Sequence, residues 1–338
     1  MDWSRAYTAR WRVRRVDPGT WECVEEVDGI TAAAVTRGDG DEQESGSFEL
    51  SLLPTEALDE GWVRIEAVVE QGGGSEVFDV ATLRLTDGNA TYMRGMRQVT
   101  AGGVSVLHPA SARVMRGGEY APRGADGAAW VADLLASCID APVSAAGSFQ
   151  LSDHVVFKSG QTYLIAARQV LAAAGWRLRI DGRGEVTVCP PADESSLEVT
   201  PSNVSDGITM GAQLSDVPNV YVAIEGAVVA TATNADPASA TSTTSRGYAV
   251  ERVDTSPKRI DGESLQDYAE RKLDDARIAA VRTYSWTRDF APDVVAGDLV
   301  HVVVPSADLD ATLRVTSQTI TCGRGMTVQE SAALEEMV

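Results

Sequence analysis

Tyr7, Ala9, Trp11 and Val13 alternate with Arg10, Arg12 and Arg14. A period of two puts the apolar side chains on one face of a strand and the charges on the other. Asp17-Pro18-Gly19-Thr20 predicts a turn, because proline presets φ and glycine accepts a positive one. Trp21–Val27 then returns as the second strand of a hairpin. Ile30–Thr36, Ser47–Leu53, Gly61–Glu70, Val77–Leu85 and Tyr92–Thr100 continue the series. Breaks at Gly38-Asp39-Gly40-Asp41, Gln71-Gly72-Gly73-Gly74 and Asp87-Gly88-Asn89 separate them. Strands at this spacing predict a small β-barrel or sandwich over residues 1–112.

The period then changes. Trp130, Val131, Leu134, Leu135 and Cys138 share one helical face, and Pro142 stops continuation. A second helix is predicted to open at Ser159 or Gly160, with Leu164, Ala167, Leu171 and Ala174 as its face. Gly175 stands where a C′ glycine belongs. Trp176–Ile180, Asp181-Gly182-Arg183-Gly184 and Glu185–Cys189 predict a hairpin, closed by Pro190-Pro191. Residues 113–195 read as an α+β domain.

Residues 196–338 return to strands, at Asn219–Glu225, Ala227–Thr233, Gly247–Val253, Thr283–Phe290, Asp298–Val304, Thr312–Thr321 and Met326–Ala333. A polar loop is expected over 234–244. A helix is expected over 263–282, with Leu265, Tyr268, Ala269, Leu273, Ala276 and Ala280 on one stripe and Asp267–Arg271 as an i,i+4 pair. Pro218 opens one strand and Gly297 precedes another. There is no tight internal repeat. The fold class is mostly β: two small β-barrel-like domains flank an α+β domain.

Charge narrows the function classes. The 338 residues carry 49 Asp and Glu against 29 Lys and Arg, a net charge of −20. The acid lies at the ends: net −9 over 1–112, −1 over 113–195 and −10 over 196–338. Nucleic-acid clamps need Lys and Arg to release counterions from phosphate, and anionic membranes need the same charge. No run reaches the ~18–20 apolar residues of a spanning helix, so membrane insertion is not expected. Met1-Asp2-Trp3-Ser4-Arg5 has no apolar h-region, and no signal peptide is expected.

Candidate chemistry is sparse. Cys23, Cys138, Cys189 and Cys322 form no CxxC and read as buried free thiols. His108, His154 and His301 lack the spacing of an HExxH zinc site and read as structural. Asp39-Gly40-Asp41-Glu42-Gln43-Glu44 has acidic spacing, but lacks the glycine and distal glutamate of a calcium loop, and reads as a solvated acidic loop. The Arg10, Arg12, Arg14 and Arg15 cluster reads as the wet face of a strand, or an interface against acidic neighbours. No catalytic, cofactor-binding or metal-ligating residue is nominated, and the residues singled out, Gly175, Pro218 and Gly297, are structural.

The order of motifs in the last 140 residues carries a resemblance. It runs Ser215-Asp216-Val217-Pro218-Asn219-Val220-Tyr221-Val222, Thr233-Asn234-Ala235-Asp236-Pro237, Arg246-Gly247-Tyr248, Leu265-Gln266-Asp267-Tyr268-Ala269, Phe290-Ala291-Pro292-Asp293, Ala296-Gly297-Asp298-Leu299-Val300, and Arg314-Val315-Thr316-Ser317-Gln318. With Ala174-Gly175-Trp176 and Cys189-Pro190-Pro191, it resembles the tail-hub or baseplate-hub proteins of tailed bacteriophages. The resemblance implies a non-enzymatic virion protein of the tail tip, made in the host bacterial cytoplasm. It implies a homotrimer whose six β domains form a pseudo-sixfold ring between the sixfold tail tube and a threefold tip. Implied partners are the distal tail or tail tube protein, the tape measure protein, and tip or fibre proteins. Phage DNA would pass through the lumen without specific binding. Two further hypotheses are a hub of a contractile injection system or tailocin, and a tail-associated muralytic hydrolase with paired carboxylates. A soluble β-rich adhesin is a third.

Overall fold

The computed structural model describes the chain apart from residues 2, 4, 39–43, 53–59, 193, 212–216, 256, 258–262, 280–282 and 335–338. The N-terminal region forms β1 (Thr8–Val16), β2 (Cys23–Glu26), β3 (Ile30–Gly38), β4 (Ser45–Leu52), β5 (Trp62–Gln71), β6 (Gly74–Met93) and β7 (Met96–Ser105). The middle region forms α1 (His108–Ala112), β8 (Tyr120–Ala121), α2 (Gly127–Ala136), β9 (Val143–Ala145), β10 (Val155–Val156), α3 (Tyr163–Ala172), β11 (Arg177–Ile180) and β12 (Val186–Cys189). The C-terminal region starts with β13 (Ser195–Val199), β14 (Ile208–Gly211), β15 (Val220–Glu225), β16 (Val228–Thr233), α4 (Thr243–Arg246) and β17 (Glu251–Asp254). It continues with α5 (Leu265–Ala279), β18 (Thr283–Asp289), β19 (Leu299–Val304), β20 (Leu309–Cys322) and β21 (Met326–Leu334).

One sheet runs through both β regions, in the order β14-β18-β21-β20-β3-β4-β7-β6-β5-β1-β2, with β19 on the far side of β20. It contains the same unit twice. In the first, β3, β4, β5, β6 and β7 follow in the chain and lie side by side as β3-β4-β7-β6-β5. In the second, β14, β18, β19, β20 and β21 follow in the chain and lie as β14-β18-β21-β20-β19. Registers match as well as order. Leu83 faces Val63 and Ser105, as Leu313 faces Val300 and Leu334. Leu85 N–H donates to Gly61 C=O, as Val315 N–H donates to Asp298 C=O, both at 2.9 Å. Each long central strand carries a bulge near its middle, between Thr86 and Gly88 in β6 and between Val315 and Ser317 in β20. The units differ beyond β5 and β19, where β1 pairs antiparallel and β13 parallel.

Each unit has its own core. Phe48, Leu50, Ile65, Leu83 and Leu85 pack in the first, and Tyr284, Trp286, Val300, Val302 and Leu313 in the second. A third core fills the middle region, where α2 and α3 bury Val131, Leu135, Leu164, Ala167 and Leu171. A fourth is formed by the chain segment that connects β14 to β18: β16-β15-β17 form a small sheet, and Leu265, Tyr268, Ala269 and Leu273 of α5 pack on Tyr221, Ala223, Ala230 and Ala232. The predicted inserted helix therefore has its own sheet beneath it.

Several boundaries differ from expectation for local reasons. Asp87-Gly88-Asn89 does not end a strand. Gly88 sits at the bulge of β6, where a Cβ would run into the Thr100 carbonyl, so the glycine serves close approach and not a turn. The turn lies at Arg94-Gly95, inside the stretch read as one strand. The second helix begins after Thr162, whose hydroxyl accepts from Ile165 N–H, and not at Ser159 or Gly160. Part of Gly247–Val253 is a helix end: Gly247 caps α4 in the left-handed conformation, and β17 starts at Glu251. On α5, Asp267 forms a reciprocal box with Ser264, and Arg271 is held by a two-point fork from Glu263 at 2.7 and 3.0 Å. Ala280 and residues 39–43 of the acidic loop lie outside the described residues, while Glu44 at the loop's end is not solvated but buried against Arg37.

Gly175 has φ +68° after α3, with open space where a Cβ would stand. Strain alone therefore opposes a side chain. Gly175→Val should lower stability by about 1 kcal/mol or more, and an unchanged thermal midpoint would refute that role.

Candidate functional site

The two units meet where β20 pairs antiparallel with β3. Ser317 to Cys322 lie opposite Gly38 to Ala33, and Ile320 packs beside Val35, both buried. Beneath this pairing runs a line of buried polar groups. Gln318, opposite Arg37, donates through Nε2 to Glu330 Oε1 at 2.8 Å and to the Val294 carbonyl at 2.9 Å. Arg37 reaches Gln318 Oε1 at 3.5 Å and is paired through Nε with Glu44. Glu330 also accepts from Trp286 Nε1 at 2.7 Å and from Arg288 Nε and Nη2 at 2.9 and 2.8 Å. A buried carboxylate persists only when its charge is paired and its lone pairs are occupied. Glu330 meets both conditions. Burial opposes the charge on Arg288, but the Glu330 fork outweighs it and raises the guanidinium above its ordinary value. Burial pushes the Glu44 carboxyl up, against the pull of Arg37.

The middle region is clamped to both units. On one side Asp298 receives Arg177 at 3.3 Å and Arg179 at 3.2 Å, both from β11. The Gly297 carbonyl accepts from Arg177 and, at 2.6 Å, from Arg314. On the other side the β11–β12 turn enters the first unit. The Arg183 carbonyl accepts from Trp21 Nε1 at 2.8 Å and Arg64 Nη2 at 3.0 Å, and the Gly182 carbonyl accepts from Thr82 at 3.1 Å. A side chain at Gly182 would strike the Asp79 carbonyl.

No family model matches the sequence, and no curated protein matches it. Solved structures do match along nearly the whole chain. The tail protein from Neisseria meningitidis MC58 is 15% identical with a TM-score of 0.66, over 98% of this chain and 97% of that one. The 43 kDa tail protein of prophage MuSo2 from Shewanella oneidensis is 12% identical, also at 0.66, over 97% of each. This chain has the fold of these two tail proteins. An E. coli component of the type VI secretion system, described as structurally similar to the T4 bacteriophage tail proteins gp27 and gp5, matches at 0.50 with 8% identity, over 91% of this chain and 74% of that one.

Within this fold the residues singled out from sequence hold structural places. Gly297 has φ +90° and presents its carbonyl to the clamp. Pro218 precedes β15, and its neighbour Asn219 is buried, accepting from Val250 N–H at 2.7 Å and donating to the Tyr248 carbonyl at 3.0 Å. His301 contacts Asp310 at 2.7 Å, His154 accepts from Arg123 N–H, and His108 opens α1. All four cysteines are free, but only Cys322 is buried, with its thiol pushed up to about 12 by burial. The expectation that all are buried fails for the other three, which sit at the rims of their elements. Cys138 lies just past α2, donating to carbonyls of its last turn. The β1 arginines meet acids of their own chain: Arg12 and Arg14 reach Glu66, Arg10 reaches Glu70, and Arg15 reaches Glu25. Among the described residues no group of three His, Cys, Asp or Glu could hold a metal ion, and no helix is long and apolar enough to cross a membrane.

Glu330→Gln keeps the shape but removes the two-point carboxylate partner of buried Arg288, leaving it the looser pair with Asp293 at 3.8 Å. The expected loss is about 3–5 kcal/mol in urea unfolding; a loss below 1 kcal/mol would mean the network is dispensable. Tyr7 gives a second test. Its hydroxyl donates to the Phe290 carbonyl at 2.8 Å, and burial, with Asp289 nearby, pushes the phenol up to about 12. An unfolded tyrosine ionises near 10. The contribution is therefore whole below pH 10 and lost as pH rises through about 12. Urea midpoints from pH 9 to 12 should fall more steeply for the wild type than for Tyr7→Phe; parallel curves would contradict this.

Proposed function

We propose that the chain is a structural subunit of a bacteriophage tail tip, built as a trimeric ring. The observation that carries this reading is the repeated unit: two identically wired β units in one chain, joined edge to edge, within a fold similar from end to end to phage tail proteins. Three copies supply six units, enough to meet a sixfold tube on one side while remaining threefold on the other. The division into 1–112, 113–195 and 196–338 belongs to this reading, with β units outermost and the middle domain as brace. Its partners are then the distal tail or tube protein above, the tape measure protein, and tip or fibre proteins below. The net charge of −20 suits a lumen that repels DNA and lets it pass.

A second reading, the hub of a type VI-like injection machine, draws on the E. coli match and shares the same ring. A muralytic role would need a paired-carboxylate cleft, and the buried carboxylates described above are tied to arginines.

Light scattering of the purified chain should give about three times 35.8 kDa at low and high salt. A monomer that is also absent from purified tail particles overturns the proposal. Clearing of peptidoglycan in a zymogram would overturn the purely structural role.

A further inference from the structure

The repeated unit leaves two strand edges open, and they are the counterparts of the two edges joined inside the chain. The internal joint pairs the outer half of the second unit's long strand, β20, with β3, the first strand of the other unit. The outer half of β6 is the counterpart of that half of β20. Beyond Arg84 it has left β5 and pairs only with β7 among the described residues. The counterpart of β3 is β14, which among the described residues pairs only with β18.

We propose that β6 of one copy pairs antiparallel with β14 of the next, closing the ring with a joint of the same form as β20–β3. This rests on the ring reading above and names its contact.

The register follows from the ladders. Gly88 faces Ala101 as Gln318 faces Glu330, and Tyr92 faces Arg97 as Cys322 faces Met326, which aligns β6 with β20. Phe48 faces Ala101 as Trp286 faces Glu330, which aligns β4 with β18. Ala33 faces Phe48 as Ile208 faces Trp286, and Thr36 faces Ser45 as Gly211 faces Thr283, which aligns β3 with β14. Carried across, the internal pairs Thr319·Thr36, Ile320·Val35, Thr321·Ala34 and Cys322·Ala33 become Asn89·Gly211, Ala90·Met210, Thr91·Thr209 and Tyr92·Ile208.

Exposure agrees with this assignment. Val35 is 0% exposed beneath the internal joint, whereas its counterpart Met210 is 49% exposed. Cys322 is 0% exposed, and its counterpart Tyr92 is 67% exposed. Apolar side chains on an open strand edge invite a further strand. The other terminal strand, β2, also exposes an apolar side chain, Val24, but sets exposed Glu25 and Glu26 beside it.

Cross-linking tests the register. Cross-strand neighbours come within disulfide reach. Chains carrying Ala90→Cys alone are mixed with chains carrying Met210→Cys alone and oxidised, with the wild type and each variant by itself as controls. A covalent dimer only in the mixture, and a covalent trimer from the double variant, is the expected result. As a second arm, Thr91→Lys with Thr209→Lys, both at exposed positions, should reduce the assembly to monomer mass, while Thr91→Lys with Thr209→Glu keeps it. A trimer without the 90–210 disulfide overturns this joint and leaves the ring standing. The disulfide in an open-ended polymer supports the joint and overturns the closed ring. A chain that stays monomeric and uncrosslinked at every concentration overturns the joint, and its presence in tail particles then decides the ring reading separately.

Discussion

The buried carboxylate of Glu330 holds the second unit together and reaches toward the first. It fixes Arg288 and Trp286 on β18 and Gln318 on β20, and Gln318 stands opposite Arg37 on β3. Strand pairing alone does not set this joint, because backbone groups pair equally well in several registers. A slip of one residue would turn every side chain to the other face. Here it would also carry the buried Arg37 guanidinium away from Gln318 Oε1, and a buried charge that loses a partner costs more than a surface contact can return. The polar line thus selects one register for a joint whose backbone is permissive.

The repeat is plain in the wiring and faint in the residues, for a physical reason. At matching positions the first unit has Phe48, Leu50, Gly88 and Ala101, and the second has Trp286, Arg288, Gln318 and Glu330. One unit fills its core with apolar side chains, and the other fills the same space with a satisfied ion pair. Periodicity finds strands in both, since alternation survives either choice. Identity is lost at these four positions because the chemistry differs there, although Leu83 with Leu313 and Val63 with Val300 keep it.

The sequence was most legible where one local rule decides, as at Gly175, the β11–β12 turn and the stripe of α5. It was least legible where a glycine answers to a distant atom. Gly88 looks like a turn until the Thr100 carbonyl is seen against it. Gly182 looks like a turn and is one, but its neighbour's carbonyl docks the middle region on Trp21 and Arg64. One signal for the polar line was present: Tyr284, Trp286, Arg288 and Phe290 share one face of a strand, as do Met326, Val328, Glu330 and Ala332. A charge at the third apolar position of each marks a buried pair once the strands are known to be neighbours.

The clamp around β11 bears on symmetry. Two units joined by one strand pair can twist about that pair, and adjacent strands vary in twist by tens of degrees. The middle region removes this freedom, because it grips Asp298 of one unit and Trp21, Arg64 and Thr82 of the other, across the joint. In the proposed ring each chain supplies one such brace, over its internal joint. The joints between chains then have no brace of the same kind. Six similar units would be linked by three braced and three unbraced contacts in alternation. A ring so built is near-sixfold where only the sheet is presented and threefold where the braces are, so the step from six to three lies within one chain.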